Sequence, residues 1–346
     1  MERRRRIWCE HVPPEVLDDP SLVALLERHG LEPLVALPPS AETPAMQRAL
    51  GRLGRAGLPL GLWPLLDDEA GYWPSTANAQ AFAARVEEAL EFAAGAGATV
   101  RVVAIDLEPP LSRTRALLAP GLLSRVAALW GQLRAALDEE ERHRSGEARA
   151  CFEGLARGLE ARGLETIAAV APPALLDLEA RVDLWQSVLK TPVWDPRGER
   201  TTPWAVVSPM LYTSIMRPLL SGLGPRGAPT LLLLAARLLQ SRLARARPSL
   251  SLGCVGPGKL GDEPTFADPE ELAHDVGLAR EAGIDDLALF DLAGVLRRGP
   301  PELWLRAFTE PGAAVPARAS RRAGALMAVL RTLTRCLGQS PRAPRG

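Results

Sequence analysis

The sequence predicts an α/β protein built as a single (β/α)8 TIM barrel with enlarged loops and a C-terminal helical tail, and three observations carry that prediction. Eight short runs rich in Val, Leu, Ile and Ala alternate with helix-length segments, as strand and crossover units require. The 346 residues suit one large barrel. Neither a G-x-G-x-x-G turn after the first strand nor a Walker A pattern is present, which disfavours a doubly wound nucleotide-binding sheet. Residues 1–315 are assigned to the barrel and 316–346 to a helix and flexible tail.

The first strand is expected over Arg6–His11, where Ile7-Trp8-Cys9 leads into Glu10 and His11. A helix with Leu spacing follows at Leu22–His29, then a strand at Glu32–Leu37, a helix at Ala45–Gly57 and a strand at Leu58–Trp63. Asn78–Ala94 has helical Ala and Leu spacing, and Val100–Leu107 is a buried strand closed by Pro109-Pro110. Ala116–Arg162 reads as helix with a break near Ser145-Gly146, stopped by Gly163 before a strand at Thr166–Ala171. A helix at Leu176–Leu189, a strand at Ala205–Tyr212, a helix at Thr230–Ala246 and a strand at Ser249–Val255 come next. Asp268-Pro269-Glu270-Glu271 supplies an N-cap acid, a proline at the first position and acids in the first turn, which starts a helix running to Ala282. Gly283 stops it, and the last strand is Asp286–Leu292.

Composition narrows the function classes. Lys plus Arg equals Asp plus Glu at 41 each, so no global charge draws the chain to nucleic acid or to an anionic surface. Lys190 and Lys259 are the only lysines, and the abundance of arginine is a trait of the whole chain rather than a binding patch. Cys9, Cys151, Cys254 and Cys336 form no C-x-x-C pair, so a zinc knuckle and a disulfide framework are both disfavoured. His29, His143 and His274 carry no metal-ligand spacing, and no cofactor or metal is expected. The most apolar stretch, Thr230–Leu239, is interrupted by Arg237 and followed by Arg242, Arg245 and Arg247, which reads as a buried helix and not a membrane span. No secretory signal follows Met1, so the expected location is cytoplasmic, or exported if a signal peptide lies upstream.

The chemistry concentrates at strand ends, where such barrels place their reaction centres. Side chains alternate along a strand, so Asp106 and Glu108 share a face with Ala104. Neighbouring carboxylates repel, share a proton or bind a cation, and each separates their pKa values as acid/base chemistry requires. Other strand ends add Glu10, Trp63, Trp73, Met210, Tyr212 and Asp291 as candidate substrate contacts. Acids with aromatic rings suit a sugar, because rings pack on pyranose faces while carboxylates bond hydroxyls and move protons to the glycosidic oxygen. Trp73, beside Gly71 and Pro74, is expected to be exposed, and Trp63 is either a core residue or a platform. Asp67-Asp68-Glu69 reads as a solvated acidic turn, and His11 should face away from Glu10. Asp291 either meets substrate or caps the loop before Gly294, and Gly256-Pro257-Gly258-Lys259 reads as a tight turn, lacking the spacing of a phosphate loop.

Ala104-Ile105-Asp106-Leu107-Glu108 resembles the D-x-D-x-E signature of family 18 glycoside hydrolases, the chitinase-like barrels, with Ala104 in place of the first aspartate. Met210-Leu211-Tyr212-Thr213 resembles that family's M-x-Y-D element, with Thr213 in place of its acid, and the S-x-G-G element is absent from the third strand. The resemblance implies Glu108 as general acid, Asp106 as the residue orienting an N-acetyl group and Tyr212 as a hydrogen-bond donor near the reacting centre. It implies a retaining, substrate-assisted reaction on a carbohydrate ligand. The missing acids favour a second reading, a barrel that binds sugar or scaffolds a partner without turnover. A third makes Glu10, Asp106, Glu108 and Asp291 a divalent-metal site for isomerase or phosphodiester chemistry. The amphipathic stretch Ala323–Leu337 is expected to dock on the barrel bottom.

Overall fold

The computed structural model describes residues 3–111, 114–115, 131–132, 139–195, 202–310 and 319–338. Among them nine strands, all parallel, form a nearly closed barrel: β1 (Arg4–Cys9), β2 (Glu32–Leu37), β3 (Leu60–Pro64), β4 (Val100–Leu107), β5 (Glu165–Val170), β6 (Val206–Pro209), β7 (Arg247–Pro248), β8 (Leu250–Gly253) and β9 (Asp286–Phe290). Strands β1 to β7 pair in chain order, β1 also pairs with β9, and β9 with β8. β7 and β8 flank Ser249 and act as one stave, because β7 pairs with β6 while β8 pairs with β9. The Met210–Ser251 bridge brings the β6 side onto β8, so eight staves go nearly full circle.

Alternation along each strand sorts its side chains into two layers. Trp8, Leu34, Trp63, Ala104, Ile167 and Ala288 fill the barrel interior. Ile7, Val35, Leu62, Ile105, Ala168 and Leu289 face outward and pack under the helices. The interior is closed at the amino ends of the strands by charge: Arg6, fully buried, pairs with Asp286, with Glu165 at 3.0 Å and with Glu32 at 3.2 Å. Arg247 bonds Asp286 and Glu165, each at 2.8 Å.

The helix starts follow their caps. Asp268 accepts from Glu271 N at 3.0 Å and Thr43 from Met46 N at 3.2 Å, each satisfying an otherwise unpaired amide. Gly163 and Gly283 take φ of +73° and +85° where their helices end, a conformation that favours glycine.

Several boundaries differ from expectation. The segment expected as one helix, Leu176–Leu189, is two, Ala174–Ala180 and Leu184–Leu189, because Arg181 turns left-handed (φ +61°) and the Asp177 carboxylate accepts from Gln186 N at 2.8 Å. The helix Glu139–Ala161 runs through Ser145-Gly146 unbroken. The part of that expected helix over residues 116–130 and 133–138, and the domain boundary at 315/316, lie outside the described residues. β6 stops at Pro209, and Tyr212 becomes the N-cap of a helix, Thr213–Leu219. The terminal helix Arg321–Gly338 packs on the barrel flank against the helices Ala174–Ala180 and Gly227–Arg242, not on the bottom.

Candidate active site

Asp106 is the last inward-facing residue of β4 and is buried. Beyond the strand the backbone tightens: Glu108 N donates to Asp106 O at 3.0 Å, setting Glu108, half-buried, at the barrel mouth. Among the described residues Asp106 Oδ1 has no hydrogen-bond partner. Burial raises both carboxyls, Glu108 to about 8, and each feels the charge of Glu10; Asp106 is also raised by Glu108, and Glu108 by Glu263.

Glu10 follows β1, the neighbour of β2 and β9, and its side chain is only 3% exposed. Tyr72 Oη donates to Glu10 Oε1 at 2.7 Å. Burial lifts Glu10 to about 7, the Tyr72 hydrogen bond and Lys259 opposing and Glu263 adding. The ring carrying this hydroxyl is held at a cost, since Tyr72 has φ +62°, a region costly for a residue with a Cβ. Two backbone hydrogen bonds hold that loop, Leu66 N to Tyr72 O at 3.0 Å and Tyr72 N to Asp67 O at 3.1 Å.

The loop after β8 folds over this group. Glu263 accepts from Gly258 N at 3.1 Å and Leu260 N at 2.9 Å, closing the turn on itself. Lys259 Nζ lies 2.7 Å from Asp68 and 4.1 Å from the Tyr72 ring centre. A Cβ on Gly258 would sit 2.9 Å from the Phe290 ring and 3.2 Å from Glu10 Oε2, so glycine is needed for this approach. Gly256-Pro257-Gly258-Lys259 is thus a packing turn over the mouth.

Tyr212 stacks on Phe290 with ring centres 5.7 Å apart, and burial, with Cys254, Asp106, Glu108 and Glu10 adding, pushes its phenol well up. Met210 is half-buried against the interior cluster. Trp63 is buried edge-on against Trp8 at 4.8 Å. The indole N–H groups of Trp8, Trp63 and Trp73, like Asp106 Oδ1, have no partner among the described residues. A cleft of about 770 Å³ runs between the loop and helix start at Glu69–Ala81 and the helix Glu139–Ala161, with Pro110 on its wall. It adjoins the end of β4 without enclosing the acids.

Two expectations, for Trp73 and His11, are corrected. Trp73 is not exposed: it packs edge-on to Tyr72 at 5.2 Å and is 4% exposed, because Asn78 Nδ2 bonds Trp73 O at 2.9 Å and folds the loop inward. Of the two roles expected for Asp291 it takes the cap and not the substrate contact: it follows inward-facing Phe290, turns outward and starts the helix Leu292–Arg297, accepting from Gly294 N at 3.1 Å. Thr213, which stands where the M-x-Y-D element has its acid, turns outward, its hydroxyl donating to buried Asp275. His11 lies beyond β1, where alternation no longer applies, and its Nε2 is 3.5 Å from Glu10. Asp67, Asp68 and Glu69 are exposed, as an acidic turn suggests, and Asp68 pairs with Lys259. Tyr72 and Glu263 were not singled out from sequence as site residues; a tyrosine between Gly71 and Trp73 in a strand-end loop was a signal for the first, and none pointed to the second.

Among the described residues no group of three or more His, Cys, Asp or Glu side chains is placed to hold a metal ion. No helix among them is long and apolar enough to cross a membrane.

By sequence, no known protein family and no curated protein matches the chain. By fold, it is similar to the glycoside hydrolase domain of PgaB (BpsB) from Bordetella bronchiseptica, at 12% identity and a TM-score of 0.51, covering 90% of this chain and 100% of that one. It is also similar to a chitinase from Chromobacterium violaceum (11% identity, TM-score 0.49, 90% and 99% covered) and to a family 2 AP endonuclease from Brucella melitensis (13%, 0.45, 89% and 98%). At such identities the likeness to the first of these shows the fold alone, a TIM barrel.

Proposed function

We propose that the protein is a glycoside hydrolase in which Glu108 is the general acid toward a glycosidic oxygen, Asp106 orients the reacting part of the sugar and Tyr212 donates a hydrogen bond beside it. The observation that carries this reading is the gathering of Asp106, Glu108 and Glu10 at the carboxyl ends of the strands, within one another's electrostatic reach. A general acid must hold its proton near neutral pH, and Glu108, raised to about 8, holds one. Burial and the charge of Glu108 raise Asp106 as well, so the two carboxyls hold and release protons as a pair. The indole N–H groups of Trp63 and Trp73 and Asp106 Oδ1, without partners among the described residues, are donors and an acceptor of the kind a sugar hydroxyl satisfies. The N-acetylated substrate and substrate-assisted route follow from the motif resemblance around Asp106 and Glu108.

A second reading, sugar binding without turnover, is favoured by Ala104 and Thr213. Ala104 is fully buried beside Asp106 and cannot share its proton, and the Thr213 hydroxyl is turned away toward Asp275.

One experiment separates them: hydrolysis of chromogenic N-acetylglucosaminides and glucosides by wild type and Glu108→Gln, with glycan binding measured in parallel. Hydrolysis lost in the variant supports Glu108 as the acid. Binding without turnover in both proteins supports the second reading, and neither activity across a broad glycan panel overturns both.

A further inference from the structure

We propose that the helix Arg321–Gly338 docks the protein on an anionic membrane surface through Val329, Leu333 and Leu337. Ala323, Met327 and Leu330 pack into a cluster with Leu176 and Leu231, and Trp185 Nε1 donates to Thr334 at 2.8 Å. That face is already used. At 3.6 residues per turn Val329, Leu333, Cys336 and Leu337 fall within one arc of about 100° that adjoins the packed face. Val329 is 54% exposed, Leu333 47% and Leu337 46%, three of the five most exposed large apolar side chains described. The apolar arc is wider than the part the barrel covers, and its outer part stands exposed.

Charge identifies what covers that outer part. Residues 311–346 contain seven arginines and no Asp or Glu, in a chain of zero formal net charge. The overall balance therefore hides a segment of one sign. On the helix itself Arg321, Arg322 and Arg335 are exposed, with Arg322 donating to Gly222 O. Arg331 and Arg335 approach a single acid, Glu179, at 2.7 and 3.5 Å, which neutralises one charge of the two. Exposed apolar side chains with arginines beside them suit a helix lying on a bilayer, with those side chains in the acyl boundary and guanidinium groups at the phosphates. A second copy of the chain fits less well, because face-to-face pairing would bring these arginines together with no acid on the helix to meet them. Nucleic acid would satisfy the arginines and leave Val329, Leu333 and Leu337 in water.

The test is co-sedimentation of the full chain with vesicles of phosphatidylcholine alone or mixed with phosphatidylglycerol. Pelleting is expected with the mixed vesicles only, weakened about tenfold by raised salt, as screened arginine–phosphate attraction requires. It should be lost in Val329→Asp/Leu333→Asp, whose circular dichroism stays that of wild type because both residues are exposed. Should that variant misfold, Arg321→Gln/Arg322→Gln serves instead and should weaken pelleting severalfold. Failure to pellet with mixed vesicles overturns the proposal, as does equal pelleting with phosphatidylcholine alone. So does a wild-type dimer that the first variant splits in sedimentation velocity, which would assign the face to a second copy, or duplex binding that outcompetes the vesicles. None of these outcomes depends on glycan hydrolysis.

Discussion

The Tyr72 hydroxyl donates to Glu10 Oε1 at 2.7 Å, tying the loop after β3 to the end of β1, two staves away. Lys259, from the loop after β8, lies over the same ring. Three strand ends are thereby joined above the barrel interior, and the position of one acid depends on a tyrosine from another loop.

Tyr72→Phe removes a donor to a buried carboxylate and keeps the ring. The hydrogen bond favours charged Glu10, so its loss should move the Glu10 titration further upward from about 7, read by carboxyl carbon NMR. The stability cost should be about 1–3 kcal/mol above that pH, where Glu10 is charged, and smaller below it. An unchanged or lowered Glu10 titration would refute the assignment.

Stability should fall as pH rises from about 5 to about 8. Glu10 and Glu108 titrate near 7 and 8 in the folded chain against an ordinary 4.5, so between those values the folded state binds protons that the unfolded state has released. Each group's contribution is complete below its unfolded value and gone above its folded one, with a slope of at most about 1.4 kcal/mol per pH unit. Glu10→Gln and Glu108→Gln should each flatten the curve, measured by urea unfolding at stepped pH.

Gly294→Ala should destabilise by about 3 kcal/mol, because its Cβ would lie 2.1 Å from Gly256 N and force the turn over the mouth away from the Asp291 cap. Gly154→Ala, inside the helix Glu139–Ala161 with nothing within 4 Å of the new Cβ, should stabilise by up to about 1 kcal/mol. Thermal unfolding of the pair checks both signs.

Arg6→Met should cost about 3–5 kcal/mol. It leaves Asp286, fully buried, and Glu165 short of a cation at the barrel floor, and Arg247 alone cannot replace three ion pairs. A loss under about 1 kcal/mol in chemical denaturation would show the floor to be solvated.

Much of the barrel was legible because strands and helices write their periods locally. Glu32–Leu37 and Val100–Leu107 have the bounds that their apolar runs predict, and Asp268-Pro269 starts its helix through a cap three residues long. The same locality misleads where a contact comes from afar. Leu176–Leu189 has unbroken helical spacing, yet a buried Asp177 drawing in Gln186 N splits it. Trp73 sits among turn residues, yet Asn78 pulls its loop inward.

The sequence by itself determined the order and direction of the strands, the inward face shared by Ala104 and Asp106, and the placement of acids at strand ends, since alternation and capping act between residues a few positions apart. Only the tertiary structure decided that Glu10 meets Tyr72, that Glu263 and Lys259 close over the mouth, and that Asp291 and Thr213 turn outward. Those outcomes depend on closure of the ring, which brings β1 beside β9 and buries carboxyls from separate staves in one low-dielectric space, where burial and mutual repulsion raise their affinity for protons.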